Sequence, residues 1–291
     1  MIGAFVCGGL GNQMFQYAAA RALALRRGTG LKLDLAAFGK PGAFEVDRPY
    51  ELDKLAIAVE PARRTDALSF LLARREQAAL RRFSGWATVR EQAVGFDPAV
   101  KQCGDGTYLF GYWQSWRYFD DCAAQLRAEL QPRVPLSDQS GRLRDAMQSA
   151  NSLALHVRRG DYVTSAETAS FHGALSTDFY AAAVQFIRER APGLHCYVFS
   201  DDLDWCREAL QHLGLPLTFV DVNRGADSWQ DLYLMAACRH SIIANSSFSW
   251  WAAWLGDGQQ HAERMVVAPQ RWFAGADTVV ADRCPPGWTV L

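Results

Sequence analysis

Apolar positions along this chain fall into short runs, and the spacing around them switches between two periods. In the second half the switching is regular. Runs at 153–158, 195–199, 217–222, 241–244 and 265–268 read as buried strands, bounded by turn residues. Helical spacing fills 138–150, 176–190, 202–213, 228–239 and 247–256. Short strands alternating with helices predict a parallel sheet with right-handed crossovers. The first half is less regular. A strand over 2–7, a helix over 12–27 and a strand over 31–35 precede an irregular stretch holding Pro41, Gly42, Pro49 and Pro61. A basic helix over about 66–83 and a strand over 108–112 follow. The turn-rich passage Gln131 to Asp138 marks a boundary, giving domains 1–137 and 138–291, each α/β and Rossmann-like. There is no internal repeat and no low-complexity segment.

Composition changes this picture little. With 49% apolar and 12% aromatic residues in 291, the chain can fill two cores. A net charge of −1 gives no general attraction to nucleic acid. Seven cysteines (7, 103, 122, 196, 206, 238, 284) form no C-x-x-C pair, which argues for reduced thiols rather than a disulfide framework or zinc site. No apolar run approaches the ~18 residues of a membrane span, and the first residues read as a strand rather than a leader. The helix over 66–83 carries Arg74, Arg75, Arg81 and Arg82 beside Leu68, Leu71 and Leu80. It reads either as a solvated surface face or as a contact for an anionic membrane surface or a lipid-linked acceptor. Tyr112, Trp113, Trp116, Tyr118 and Phe119 read equally as core or as stacking platforms for sugar rings.

Candidate chemistry concentrates at three strand ends. After Leu153 to Leu155 the chain reads His156-Val157-Arg158-Arg159-Gly160-Asp161. Gly160 ends the strand, so both guanidiniums can turn toward the C-terminal edge of the sheet, where open α/β sheets bind ligands. Paired arginines suit a phosphate or pyrophosphate, because each planar fork binds bidentately and stays charged. Surface arginines paired with Asp161 are the alternative. His156 falls on the same strand face as Arg158, as a nucleotide contact or a buried structural group. Second, Gly8-Gly9-Leu10-Gly11-Asn12 joins strand to helix, and Gly9 and Gly11 allow a ligand to approach the backbone at a helix N-terminus. The spacing is neither the dinucleotide fingerprint nor a P-loop. Third, Asn245, Ser246, Ser247 and Phe248 stand between a strand and an apolar helix, as caps or as an anion site. Asp202-x-Asp204 has the form of a metal motif, but its position at a helix start also suits capping.

Taken together, Gly8 to Ala18, His156 to Val163, Phe199 to Asp202 and Asn245 to Trp254 resemble the family 11 glycosyltransferases, the α-1,2-fucosyltransferases, over nearly the whole chain. The resemblance implies a GT-B arrangement, two Rossmann-like domains with the active site in the cleft between them. It implies an inverting, metal-independent transfer of L-fucose from GDP-β-L-fucose to O2 of a terminal β-galactoside, on a bacterial surface glycan or lipid-linked precursor. Animal members are implied to be held by an N-terminal span, so a chain without one is expected to be bacterial and cytoplasmic, with peripheral membrane contact left open. Arg158 and Arg159 are implied to hold the donor pyrophosphate, Asn12 to face donor and acceptor, and Asp201 or Asp202 to bind guanine or ribose, with Asp221 as a rival. For the general base the resemblance leaves Asp161, Glu167, His172 or none, with Asp161 favoured by position. Another sugar-nucleotide transferase, or a non-catalytic glycan- or nucleotide-binding protein, are the alternatives.

Overall fold

A computed structural model describes residues 1–38, 48–60, 64–160, 173–258, 263–273 and 280–291. Ten strands are described, all pairing in parallel within two sheets. The first sheet contains β1 (Ile2–Phe5), β2 (Leu31–Asp34), β3 (Ala87–Arg90) and β4 (Thr107–Phe110), in the order β2-β1-β4-β3. The second contains β5 (Ser152–Val157), β6 (His195–Ser200), β7 (Leu217–Phe219), β8 (His240–Ile242), β9 (Val266–Ala268) and β10 (Thr289–Val290), in the order β10-β9-β8-β5-β6-β7. The chain divides into two units, Met1–Val134 and Pro135–Leu291, three residues before the boundary expected at 137.

In the first unit the helix Leu10–Arg27 is buried along most of its length, which its alanines permit, and Gly28 ends it at φ +62°. Glu129 pins it from the helix Ala123–Glu129, accepting from Tyr17 Oη at 2.5 Å and Arg21 at 2.7 Å. Burial pushes the Glu129 carboxyl up, but the Arg21, Tyr17 and Gln125 hydrogen bonds outweigh it and hold it below its ordinary value. The predicted basic helix is two pieces, Arg64–Ala73 and Ala78–Arg81. Phe70 and Ala73 pack inward, while Leu68 and Phe83 stand 61% and 79% exposed. Strand β3, unpredicted, carries Ala87-Thr88-Val89-Arg90, too short and too polar to announce itself.

In the second unit β5 is buried at every position, the mark of a central parallel strand. Leu153, Leu155 and Val157 pack with Tyr180, Val184 and Ile187 of the helix Thr177–Arg188 and with Cys206 of the helix Leu203–Ala209. The predicted elements of this unit all appear, several shortened by two or three residues. The 202–213 helix ends at Ala209, with a 3-10 turn over Gln211–Leu213. All seven cysteines are free thiols. Among the described residues, no helix is long and apolar enough to cross a membrane.

Candidate active site

The order of the second sheet reverses between β5 and β8: β6 and β7 lie to one side, β9 and β10 to the other. Loops therefore leave these two strand ends in opposite directions and open a crevice at their C-terminal edge. Leu155 pairs with Ile242, so Arg158 and Asn245 follow three residues beyond the same rung. On the other side Val157 pairs with Ser200, so Arg158 leaves the sheet beside Asp201.

That register produces the pairing seen. Arg158 Nη1 is 2.9 Å from Asp201 Oδ2. The Arg159 backbone N–H donates to Asp201 Oδ1 at 2.9 Å. Arg159 Nε donates to Asp202 Oδ2 at 3.3 Å, and its guanidinium lies 3.9 Å from the Trp205 ring centroid. Cation–π contacts of this kind contribute about 0.5–2 kcal/mol. A Cβ on Gly160 would stand 2.6 Å from Asp201 Oδ2, so glycine is what lets the carboxylate close onto this turn. Burial pushes the Asp201 carboxyl up, but Arg158 and the backbone N–H groups of Arg159 and Gly160 outweigh it and hold it below the ordinary value. Among the described residues Arg159 pairs with Asp202. Asp161, Glu167 and His172 lie outside the described residues.

His156 is 7% exposed on the face of β5 opposite Leu155 and Val157, with its ring centroid 6.2 Å from that of Phe248. Burial, reinforced by Arg158, lowers its pKa to about 4, so the imidazole is neutral at physiological pH. Its Nδ1 is buried without a hydrogen-bond partner among the described residues. Ser246 caps the helix Ser247–Gly256, its Oγ accepting from the Phe248 N–H at 3.3 Å. Ser247 and Phe248 are half-buried beside it. Asn245 is buried, and its Nδ2 donates to the carbonyls of Gly173 at 3.1 Å and Trp272 at 3.4 Å. Its amide therefore ties two chain segments to the strand end.

Asp202 Oδ1 accepts from the Trp205 N–H at 3.1 Å, the capping geometry of a helix start. Asp204 is fully solvent-exposed, 4.0 Å from Arg207. Asp221 is bound by Arg224 at 2.7 Å. Among the described residues no group of three His, Cys, Asp or Glu side chains is arranged to hold a metal ion.

The first sheet reverses its order between β1 and β4. Past β1, Gly8 takes φ +76° and Gly9 precedes the helix, with the Asn12 N–H on the Gly9 carbonyl at 2.9 Å. A Cβ on Gly8 would stand 2.9 Å from Asn12 Nδ2, whereas one on Gly9 would meet nothing within 4 Å. Gly11 is buried in the first turn of the helix. Asn12 Oδ1 accepts from Gln114 Nε2 at 2.8 Å. Past β4, Glu91 accepts the N–H groups of Tyr112 at 2.6 Å and Trp113 at 3.0 Å. Trp113 has φ 56°, a conformation costing a non-glycine residue about 1–3 kcal/mol. The aromatic cluster divides. Trp113, Tyr118 and Phe119 are core, at 1%, 2% and 0% exposure, and Trp116 is half-buried, while Tyr112 is 44% exposed.

Sequence reasoning missed Glu91, Gln114 and Trp205. Trp205, three residues after the cap, carried a findable signal as an aromatic within reach of the paired arginines. Glu91 carried none, since only the fold brings it to the β4 turn.

The family model described as Glycosyl transferase family 11 matches residues 3–289. An alpha-1,2-colitosyltransferase of Escherichia coli is 31% identical over 294 residues, covering 97% of this chain and 96% of the relative. The O-antigen biosynthesis glycosyltransferase WbnK of Escherichia coli is 31% identical over 293 residues, covering 92% and 93%. Among solved structures, a mutant of Arabidopsis thaliana FUT1 in complex with GDP has a TM-score of 0.51 at 13% identity, covering 91% of this chain and 69% of that one. POFUT1 in complex with GDP has a TM-score of 0.51 at 14% identity, covering 92% and 97%. The fold is of the GT-B class, as expected. With the paired arginines at one sheet reversal, the glycine turn and Asn12 at the other, and a family match running nearly end to end, the chain belongs to glycosyl transferase family 11.

Proposed function

We propose that this glycosyltransferase is an inverting α-1,2-fucosyltransferase. It moves L-fucose from GDP-β-L-fucose to O2 of a terminal β-galactoside during synthesis of a bacterial surface glycan. The observation that carries the reading is the pair Arg158–Arg159 at the reversal of the second sheet, beside the N-terminus of the helix Ser247–Gly256. In the transfer, the bond from the fucose anomeric carbon to the β-phosphate oxygen breaks and its electron pair stays on GDP. The acceptor O2 attacks from the opposite face, which turns a β donor into an α product, and its proton passes to a base. Fixed positive charge on the leaving diphosphate is what the chemistry requires. Arg158 and Arg159 supply it, braced in advance by Asp201, Asp202 and Trp205, with Ser246, Ser247 and the N–H groups of their helix turn completing the anion site. Neutral His156, close under Arg158, is suited to a hydrogen bond with the nucleotide and does not add charge there. Asp161 serves as base or as a further brace of the loop. Asn12 lies at the acceptor side. No metal is called for, since the arginines carry the charge.

A second reading differs only in the donor. The 31% identity to an alpha-1,2-colitosyltransferase favours GDP-colitose, and colitose is fucose without its 3-hydroxyl. The deciding experiment incubates the protein with GDP-fucose, GDP-colitose and UDP-sugars, with lactose as acceptor, in excess EDTA. The proposal expects GDP-fucose to give the highest kcat/KM and a 2-O-linked product. A preference for GDP-colitose replaces the donor. Binding of GDP without any transfer identifies a non-catalytic module. Activity lost in EDTA and restored by Mn²⁺ moves the leaving-group charge to a metal.

A further inference from the structure

The reversal point of the first sheet carries a side chain that no feature of the donor site explains. Tyr112 stands just past β4, and β4 pairs with β1. Its hydroxyl interacts electrostatically with the Cys7 thiol, just past β1, so the ring lies toward the other strand end at which the sheet order reverses. Open parallel sheets hold their ligands in that crevice. The backbone that carries the ring is fixed. Its backbone N–H is on Glu91 Oε2 at 2.6 Å, and the next residue, Trp113, is held at φ 56° by the same carboxylate. A Cβ on Gly111 would come within 2.4 Å of Glu91 Cβ, so the preceding glycine is needed for this clamp. The neighbouring aromatics Trp113, Tyr118 and Phe119 are core, yet Tyr112 remains 44% exposed. The strained residue, Trp113, is itself buried, and it lies directly after the exposed ring; strained backbone of this kind clusters at ligand sites. Beside it, Gln114 holds the Asn12 amide at 2.8 Å.

We infer that Tyr112 is the acceptor-recognising residue of this enzyme, a stacking platform for the pyranose that receives the transferred sugar. Gln114 is a positioning residue that sets Asn12 beside it. The inference rests on the proposed transfer to a sugar hydroxyl, and it names the residue that selects the acceptor. A galactopyranose suits the ring. Its axial 4-hydroxyl leaves one face with contiguous C–H groups, which meet the negative face of an aromatic ring, while its remaining hydroxyls point to amide groups such as those of Asn12 and Gln114. With its backbone held by Glu91, the residue has less freedom to lose on binding.

The test compares Tyr112→Ala and Tyr112→Phe with the wild type in steady-state transfer to lactose, in donor hydrolysis without acceptor, and in thermal melting. Tyr112→Ala should raise the acceptor KM about tenfold, the scale of one aromatic stacking contact. It should leave hydrolysis of the donor and its KM unchanged. Tyr112→Phe, which keeps the π face, should stay within about threefold of wild type, since it gives up only the hydroxyl's weak interaction with the Cys7 thiol. An unchanged acceptor KM in folded Tyr112→Ala overturns the inference. So does equal loss of donor hydrolysis and transfer, which would mark a structural role. If the wild type uses another sugar acceptor in place of β-galactosides, the proposed function loses its acceptor, and the same KM comparison with that sugar decides Tyr112. A wild type that transfers to no sugar at all overturns both.

Discussion

The two sheet reversals of this protein share a topology and differ in chemistry. In the second unit, β5 and β8 deliver two guanidiniums and a capped helix start, and the neighbouring β6 delivers two carboxylates. In the first, β1 and β4 deliver a glycine turn, two amides and an exposed phenol ring, with one carboxylate spent on backbone N–H groups. The contrast suits the two ligands of unlike character that the proposed transfer requires. A sugar nucleotide presents a diphosphate, which calls for fixed charge and pays for its desolvation. An uncharged sugar presents hydroxyls and C–H faces, for which amides and an aromatic ring suffice. A parallel sheet places whatever follows its reversal strands at one edge, and the residues there decide what the edge binds.

The largest effect expected from breaking this contrast is at Arg158. Arg158→Ala should remove about 2–4 kcal/mol of transition-state stabilisation, roughly thirty- to a thousandfold in kcat. Arg158→Lys should recover little, because a point charge does not replace a planar fork. Titration calorimetry with GDP, beside the transfer rate, checks both. Near-normal turnover in a folded Arg158→Ala would end the donor-site assignment.

The next effect separates the two ends by pH. His156 has a folded pKa of about 4 against an ordinary 6.5, so the unfolded chain binds the extra proton between those values. Stability is therefore complete above pH 6.5 and declines as pH falls toward 4, by about 3 kcal/mol in all. His156→Gln should flatten that limb of a melting-temperature profile. A slope unchanged by the substitution would move the titration to another group.

At the uncharged end, Asn12→Ala should leave GDP affinity nearly intact and lower transfer about a hundredfold, the scale of a misplaced reactant. Parallel loss of GDP binding in Asn12→Ala and Arg158→Ala would erase the division of labour between the two reversals. The smallest effect is at Gly8. Gly8→Ala meets both φ +76° and the Asn12 amide at 2.9 Å. It should destabilise the fold by about 1–2 kcal/mol, read as a lowered denaturation midpoint, with GDP affinity unchanged.

Periodicity alone located most strands of the second unit, because each is buried, apolar and followed by a helix of regular spacing. The motif residues were legible for the same reason: polar groups that interrupt an apolar run at its end are conspicuous. Strand β3 was not, since an edge strand of four partly exposed residues has no period to detect. The basic helix looked continuous because its composition is uniform, while the structure breaks it between Ala73 and Ala78.

The sequence by itself determined two α/β units, the paired arginines at a strand end and the glycine turn before Asn12, all of which depend on neighbours in the chain. Only tertiary structure decided which strands pair. That choice set Arg158 against Asp201, across the β5–β6 register, and gave Arg159 to Asp202. It also set Tyr112 against Cys7 and brought Glu91 under the β4 turn. These partners are about 20 to 105 positions apart in sequence, and no local propensity links them. Their meeting depends on strand order and register, which hydrogen bonding and burial fix over the whole sheet at once.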